Sequence, residues 1–458
     1  MRRRALLELG TLGAMGLSLP TLLRARESTV EGPDGANSLD RAFGRAKRCI
    51  LVFLNGGPSH IDTWDMKPNA PLEVRGELQS IATNVPGIPV GELLPQLARH
   101  VDRLKIVRSV THSCTVHTSG VYTMLTGVPH ATPTVDQTQA LPGDHPHLGA
   151  IYSKWRGWKD HLPPFVCLPT LFRAPPVTGI WPGQNAGFLG RRYDPLVVQG
   201  DKRTAQFELP DVTLANGLNP DRLNNRRSLV RRLDTRFAKR DQRQLADFDG
   251  YSQQAIDLLH STGLRAAIDL DREPAAVRER YGRHLFGQGL LLARRLVEAG
   301  LPLVTVYWID PTPAGAGGGE FDSHGRIYYH MRQRLFPPLD RGLSALVADL
   351  SGRGLFQDTL LVVMSEFGRT PRINAQAGRD HWPFAQTVLL AGAGVSGGAT
   401  YGATDDIGAY PTRDPVPPED LAQTVLHLLG VSADFVLTDN LGRPVPASRG
   451  VAVKGLCS

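Results

Sequence analysis

Apolar, β-branched runs of six or seven residues punctuate this chain, and nearly all of them empty into polar loops that carry histidine or carboxylate. Residues 49–54 lead into Asn55, two glycines, His60 and Asp62, and residues 104–110 lead into His112 and His117. Later, 303–309 run through a glycine-rich stretch to Asp322 and His324, and 359–364 run into Glu366, Arg369, Asp380 and His381. Shorter apolar runs at 165–168 and 387–390 read as further strands. Near-continuous runs of this kind belong to strands buried on both faces. Between them, apolar residues recur at helical spacing over 93–103, 119–126, 275–299, 335–350 and 419–429. Gly127 and Pro129 stop the second of these and Gly300 ends the third. The pattern predicts an α/β fold with a largely parallel central sheet and helices on both faces. In such sheets ligands bind beyond the strand C-terminal ends, where this chain concentrates its histidines and carboxylates.

The remaining stretches set the domain plan. Residues 1–26 combine a basic cluster, an apolar stretch over 5–19 and then Pro20, which reads as an export signal. That apolar stretch is short for spanning a bilayer. Residues 27–47 are polar and read as a linker, and 48–458 as the folded domain. Within that domain, about 131–300 reads as an irregular and helical insertion. It is rich in proline, glycine and aromatics at first and rich in arginine over 220–260. Those arginines either line an anionic substrate or form a solvated helix face balanced by Asp234, Asp241, Asp247 and Asp249.

Composition narrows the function classes. The chain has 458 residues with 41% hydrophobic content, enough for a large core. Its formal charge is +7, but the first 26 residues hold five arginines against one glutamate, so about +3 is left for the rest. That balance gives no basic nucleic-acid face. The four cysteines, Cys49, Cys114, Cys167 and Cys457, show no C-x-x-C spacing, so neither a zinc knuckle nor a disulfide framework is expected. One bridge is chemically permitted in an exported protein, and the sequence does not choose the pair.

Five motifs carry a resemblance: Gly56-Gly-Pro-Ser-His-Ile-Asp-Thr-Trp-Asp-Met-Lys-Pro68, Phe321-Asp-Ser-His-Gly325, Leu335-Phe-Pro-Pro-Leu-Asp-Arg341, Ser365-Glu-Phe-Gly-Arg-Thr-Pro371 and Gly378-Arg-Asp-His-Trp-Pro383. Together they resemble the family called domain of unknown function 1501, which is placed with the alkaline phosphatase and sulfatase superfamily. Its members are exported bacterial proteins, and Arg3-Arg4-Ala5-Leu6-Leu7 is similar to their twin-arginine leaders. Leucine stands here where phenylalanine is usual, and Glu8 where lysine is usual. The resemblance implies periplasmic or extracellular localisation, an uncleaved leader being an anchor, and other exported proteins as partners. It also implies one or two divalent ions, zinc, manganese or calcium, and hydrolysis of a phosphate or sulfate ester of a small molecule or glycan. In such sites metals orient the ester and activate the attacking oxygen.

Mapped by motif, the resemblance makes Asn55, His117, Asp322, His324, Glu366, Asp380 and His381 metal ligands. Asp322 and His324 take the late acidic-plus-histidine pair; the bland alternative is a capped turn beside an exposed imidazole. Glu366 takes the position of an Asp-His or Asp-Asn pair, with Phe367 where the second ligand belongs, and its alternative is a salt bridge to Arg369. Asp380 beside His381 is either a ligand or the group that orients that ring. His60, Asp62 and Asp65 either compensate for the neutral Asn55 or form turns. The nucleophile departs furthest. Counting back ten residues from Gly127 lands on His117, with no Ser, Thr or Cys there. His117 as a ligand with metal-activated water, Ser119 or Thr118 in a shifted frame, and lost catalysis all stay open. His117, Ser119 and Arg369 are the catalytic candidates, Arg369 and Arg379 being suited either to a bidentate grip on an anion or to structural pairing with Asp380 or Glu366. The competing class is a non-catalytic binding or assembly protein on a degenerate sulfatase-like fold.

Overall fold

The computed structural model describes residues 38–173, 179–209, 257–258, 261–309 and 320–457. The leader, the arginine-rich stretch over 220–256 and the glycines at 315–319 lie outside the described residues. Ser38–Ala42 form a short helix inside the stretch expected to be linker. Residues 42–458 form one compact unit.

Eight strands make the central sheet: β1 (Arg48–Phe53), β2 (Lys105–Val110), β3 (Val166–Leu168), β4 (Leu196–Val197), β5 (Leu303–Tyr307), β6 (Thr359–Met364), β7 (Gln386–Ala391) and β8 (Ala399–Tyr401). Their order is β8-β2-β7-β6-β1-β5-β3-β4. All neighbours are parallel except that β7 runs antiparallel to both β6 and β2, so the sheet is mixed. The reason lies in the connection. A parallel return needs a crossover, usually helical, whereas the chain from Met364 to Gln386 holds only loops and the two-residue strands Gly368–Arg369 and His381–Trp382.

The main helices are α1 (His117–Thr126), α2 (Leu148–Arg156), α3 (Leu285–Glu298), α4 (Phe336–Gly352) and α5 (Pro418–Leu428). One core cluster joins α3 and α4 to Ile50, Val52, Val304, Val306, Leu361 and Val363. Leu51 and Phe53 alternate with these, are equally buried and point to the opposite face. Helices α1, α2 and α5 pack with one another outside that cluster, so both faces are covered. Residues 131–300 are not an insertion laid over the sheet: their described parts supply β3, β4, α2 and α3. The helix expected over 275–299 is broken at Gly282, whose φ of +89° suits glycine, and it restarts at α3 under an N-cap from His284 Nδ1. The expected helix over 93–103 is 3₁₀ over Leu97–Arg103. All four cysteines are buried and free.

Candidate metal centre

Loops after successive strands deliver the cluster. Asn55 follows β1, His117 opens α1 after β2, Asp322 and His324 follow β5, and Glu366 follows β6. The hairpin pairing Arg369 with His381 turns the last imidazole back to the same edge. Close approach of these loops depends on glycine. At Gly56 (φ +103°) a Cβ would collide with the backbone nitrogens of Phe321 and Asp322. At Gly57 (φ +72°) it would stand 2.7 Å from the Phe367 ring.

Donor chemistry then sets each ring's tautomer. His117 Nδ1 lies 2.7 Å from Glu366 Oε1, His324 Nδ1 lies 2.7 Å from Asp380 Oδ1, and His381 Nδ1 lies 2.8 Å from the Thr115 carbonyl. Carboxylates and carbonyls only accept, so each ring carries a proton on Nδ1 and turns Nε2 inward. All three Nε2 atoms converge on Asp322: His117 at 3.2 Å from Oδ2, His324 at 3.0 Å and His381 at 3.1 Å from Oδ1. His324 and His381 place their Nε2 atoms 3.0 Å apart. Lone pairs so arranged repel unless a cation or extra protons lie among them.

The set fits a divalent ion. Donors bound tetrahedrally at about 2.0–2.1 Å stand about 3.3 Å apart, close to the separations here. Donor atoms of His117, Asp322 and His381 all lie within 4.8 Å of one another, while His324, close to Asp322 and His381, stands outside that group. Each imidazole also has its second nitrogen held by an oxygen acceptor, the arrangement that orients metal-bound histidines.

Electrostatics point the same way. Burial opposes charge on His117, but hydrogen bonds to Asp322 and Glu366 outweigh it and carry the ring from 6.5 up to about 9. Burial would raise Asp322, yet hydrogen bonds from His117 and His381 and the nearby Arg369 guanidinium hold it far below the carboxylate range. Glu366 is likewise lowered against its burial, chiefly by the His117 hydrogen bond. Two carboxylates draw positive charge onto one ring.

Other expected residues take different places. Glu366 does not pair with Arg369; fully buried, it accepts from Gly56 N at 2.7 Å and from His117, and Ser365 Oγ lies 2.8 Å from its Oε2. Asp380 is half exposed and holds His324 from outside. Asn55 is buried, with no hydrogen-bond partner for Oδ1. The one Ser119 hydroxyl proton has two carbonyl acceptors within reach, Pro133 at 2.8 Å and Val116 at 3.1 Å. Thr118 Oγ1 donates to Asp136. Arg369 and Arg379 are both fully buried and committed. Arg369 binds Asp322 Oδ1 at 2.6 Å and the carbonyls of Gly56, Gly57 and Arg379. Arg379 pairs with Asp62, so neither guanidinium is free to grip an anion. His60 Nε2 bonds the Gly408 carbonyl, and Asp65 pairs with Lys67 and Arg108, outside the cluster.

Three contributors have no signal in the sequence reading: the Thr115 carbonyl, Asn374, whose amide donates to His324 O and Asp380, and Trp181, stacked 6.3 Å from His117. The first is backbone. The other two stand in segments without periodicity or motif.

Fold and site together define an α/β protein with an imidazole–carboxylate centre at the strand C-terminal ends. The chain belongs to the family described as protein of unknown function DUF1501, whose profile matches residues 46–456. No curated protein matches it. Among solved structures, a phosphonate monoester hydrolase from Silicibacter pomeroyi is 13% identical over 90% of this chain and 76% of its own, with a TM-score of 0.40. A sulfatase from a Pseudoalteromonas species is 12% identical over 92% and 74%, at 0.38. A Vibrio parahaemolyticus protein of the alkaline phosphatase superfamily is 13% identical over 93% and 78%, at 0.36. At such identities and scores no residue's role transfers from them.

Proposed function

We propose that the protein is a metal-dependent hydrolase of phosphate or sulfate esters, glycan esters among them, exported by its twin-arginine-type leader. The observation that carries this is the convergence of three Nε2 atoms on Asp322, each ring held by an acceptor at Nδ1. His117, Asp322 and His381 would hold the ion, with His324 beside Asp322 and His381 at its edge. When bound, a divalent ion supplies Lewis-acid polarisation of the ester and a lowered pKa for water. Glu366, Asp380 and the Thr115 carbonyl keep protons on the outer ring nitrogens, and Arg369 fixes the Asp322 carboxylate. The rings of Phe367 and Trp181 shield His117 from bulk water. With Ser119 and Thr118 tied to other acceptors, the attacking oxygen in this reading is that of water.

One observation favours a second reading. Neither hydroxyl at the start of α1 is free, and both candidate guanidiniums are committed, which suits a binding protein on a degenerate hydrolase fold. Elemental mass spectrometry on untagged protein purified without chelator, followed by a panel of nitrophenyl phosphates, sulfates and sulfated glycans, separates the two. The hydrolase binds near-stoichiometric metal, loses it in Asp322→Ala/His324→Ala, and cleaves an ester only when loaded. Metal retained by the double variant sinks the site, and a loaded protein inert across the panel favours the binding role.

A further inference from the structure

We infer that this centre is built for a single ion of the zinc type bound by the His117 and His381 imidazoles and the Asp322 carboxylate, and that Glu366 is a positioning residue acting through His117. The inference rests on the metal reading above and assigns how many ions bind, of which kind, and through which groups.

The count follows from how the carboxylates are used. Glu366 is fully buried: Oε1 takes the Gly56 N–H and the His117 Nδ1 proton, and Oε2 lies 2.8 Å from the Ser365 hydroxyl, which is also 2.7 Å from the Leu54 carbonyl. Ligation by Oε1 would cost His117 the acceptor that fixes its tautomer. It would also strand a buried backbone N–H, a loss of about 1–3 kcal/mol. Asp380 likewise spends Oδ1 on His324 and the Asn374 amide. Among the described residues Asp322 is then the one carboxylate grouped with the inward nitrogens, which makes a single site. The Phe367 ring lies 5.1 Å from the His117 ring and 4.4 Å from the His381 ring, centroid to centroid. It is itself fully buried.

Ion identity follows from the donors. Two neutral imidazole nitrogens and one carboxylate suit zinc and its transition-metal neighbours, whereas calcium takes six to eight oxygens. The Glu366–His117 contact resembles the carboxylate–histidine pairs that orient metal-binding rings, whose loss costs about 10–100-fold in affinity.

The test loads metal-free wild-type protein with zinc or cobalt, counts ions by elemental mass spectrometry, and competes the bound ion with excess calcium. One ion per chain that calcium does not displace is the expected result. Glu366→Gln is then compared with wild type in three ways: zinc affinity, the visible absorption of the cobalt form, and thermal stability without metal. The variant should weaken zinc by about 10–100-fold and shift the cobalt spectrum, changes that a loss of metal-free stability alone would not produce. Unchanged zinc affinity and an unchanged cobalt spectrum in folded Glu366→Gln would mark Glu366 as merely structural and overturn its positioning role. Two ions per chain, or displacement by calcium, overturns the single zinc-type centre and leaves metal-dependent hydrolysis standing. Protein that stays ion-free after reloading overturns both. The ion count and the calcium competition use wild type alone, so they decide even if Glu366→Gln fails to fold.

Discussion

Two polar clusters share the loops at the strand ends, and comparing them separates a structural site from a chemical one. Around Arg379 every charge has its answer. Its Nε and Nη2 reach the two Asp62 oxygens at 2.7 and 3.1 Å, and its remaining N–H groups reach the carbonyls of Val74, Thr370 and Pro371. Ser59 Oγ and the Tyr328 hydroxyl complete Asp62. Around Asp322 three ring nitrogens crowd a carboxylate already held by Arg369, and without a metal His117 is driven toward a second proton, its pKa raised to about 9. Both clusters join distant loops, but only the second gathers bases that draw in a further positive charge. A buried pair that satisfies itself pins the fold, whereas a set of bases facing one another is left poised to take up a cation.

The largest effect should come from breaking the unbalanced cluster. His381→Ala removes one inward nitrogen, and the expected outcome is loss of bound metal and a fall in ester hydrolysis beyond 100-fold or so, since changes one shell further out already cost about 10–100-fold. His381 is one-fifth exposed, so the metal-free variant should unfold near the wild-type denaturant midpoint. Chelator should lower the melting temperature of wild type and leave that of the variant where it was. A variant that keeps its metal would show that the convergence on Asp322 is only a hydrogen-bond network.

Breaking the balanced cluster should do the opposite. Arg379→Ala leaves Asp62 buried and unpaired, a loss of about 3–5 kcal/mol, read as a lower denaturant midpoint. Metal per folded chain should stay at the wild-type value. If Arg379→Ala instead emptied the site at unchanged stability, the division between the clusters would fail.

How much of this was legible depends on the kind of signal each feature leaves. β1, β2, β5 and β6 are near-continuous β-branched runs and fall within a residue or two of the expected ranges. The reversal of β7 leaves only a negative signal, the absence of helical periodicity between Met364 and Gln386. β3 was legible as the apolar run 165–168, but β4, at two residues, is too short to show any period, and nothing in the sequence joined either to the central sheet, which is why residues 131–300 read as an insertion. For the site, His117, Asp322, His324 and His381 could be picked out because each follows a strand. The use made of Glu366 could not be, since ligand and positioning group are the same residue type in the same place. The arginines stayed open between two roles for a related reason: a guanidinium beside carboxylates in sequence looks alike whether it meets a substrate or a backbone carbonyl. Only three-dimensional saturation of its N–H groups distinguishes the two.

His147 sharpens the comparison at its weakest end, because it too has a buried ring nitrogen without a partner. Its Nδ1 accepts from Gly149 N and caps α2, its ring stacks 4.6 Å from Phe165, and Nε2 is unmatched. Nothing converges on it, so it should behave as a packing residue whose signature is acid lability. Burial lowers its pKa from 6.5 to about 3. Between those values the unfolded chain binds a proton that the folded protein refuses, so stability is whole above pH 6.5 and falls as the pH drops toward 3. The share of one such proton is about 1.4 kcal/mol per pH unit. His147→Asn keeps a capping oxygen and removes the titrating ring, so denaturant unfolding between pH 6.5 and pH 4 should show a shallower loss of stability than wild type. Its zinc content should match wild type. An unchanged slope would mean that the imidazole gains its proton within the fold, and a lone unmatched nitrogen would then no longer separate packing from chemistry.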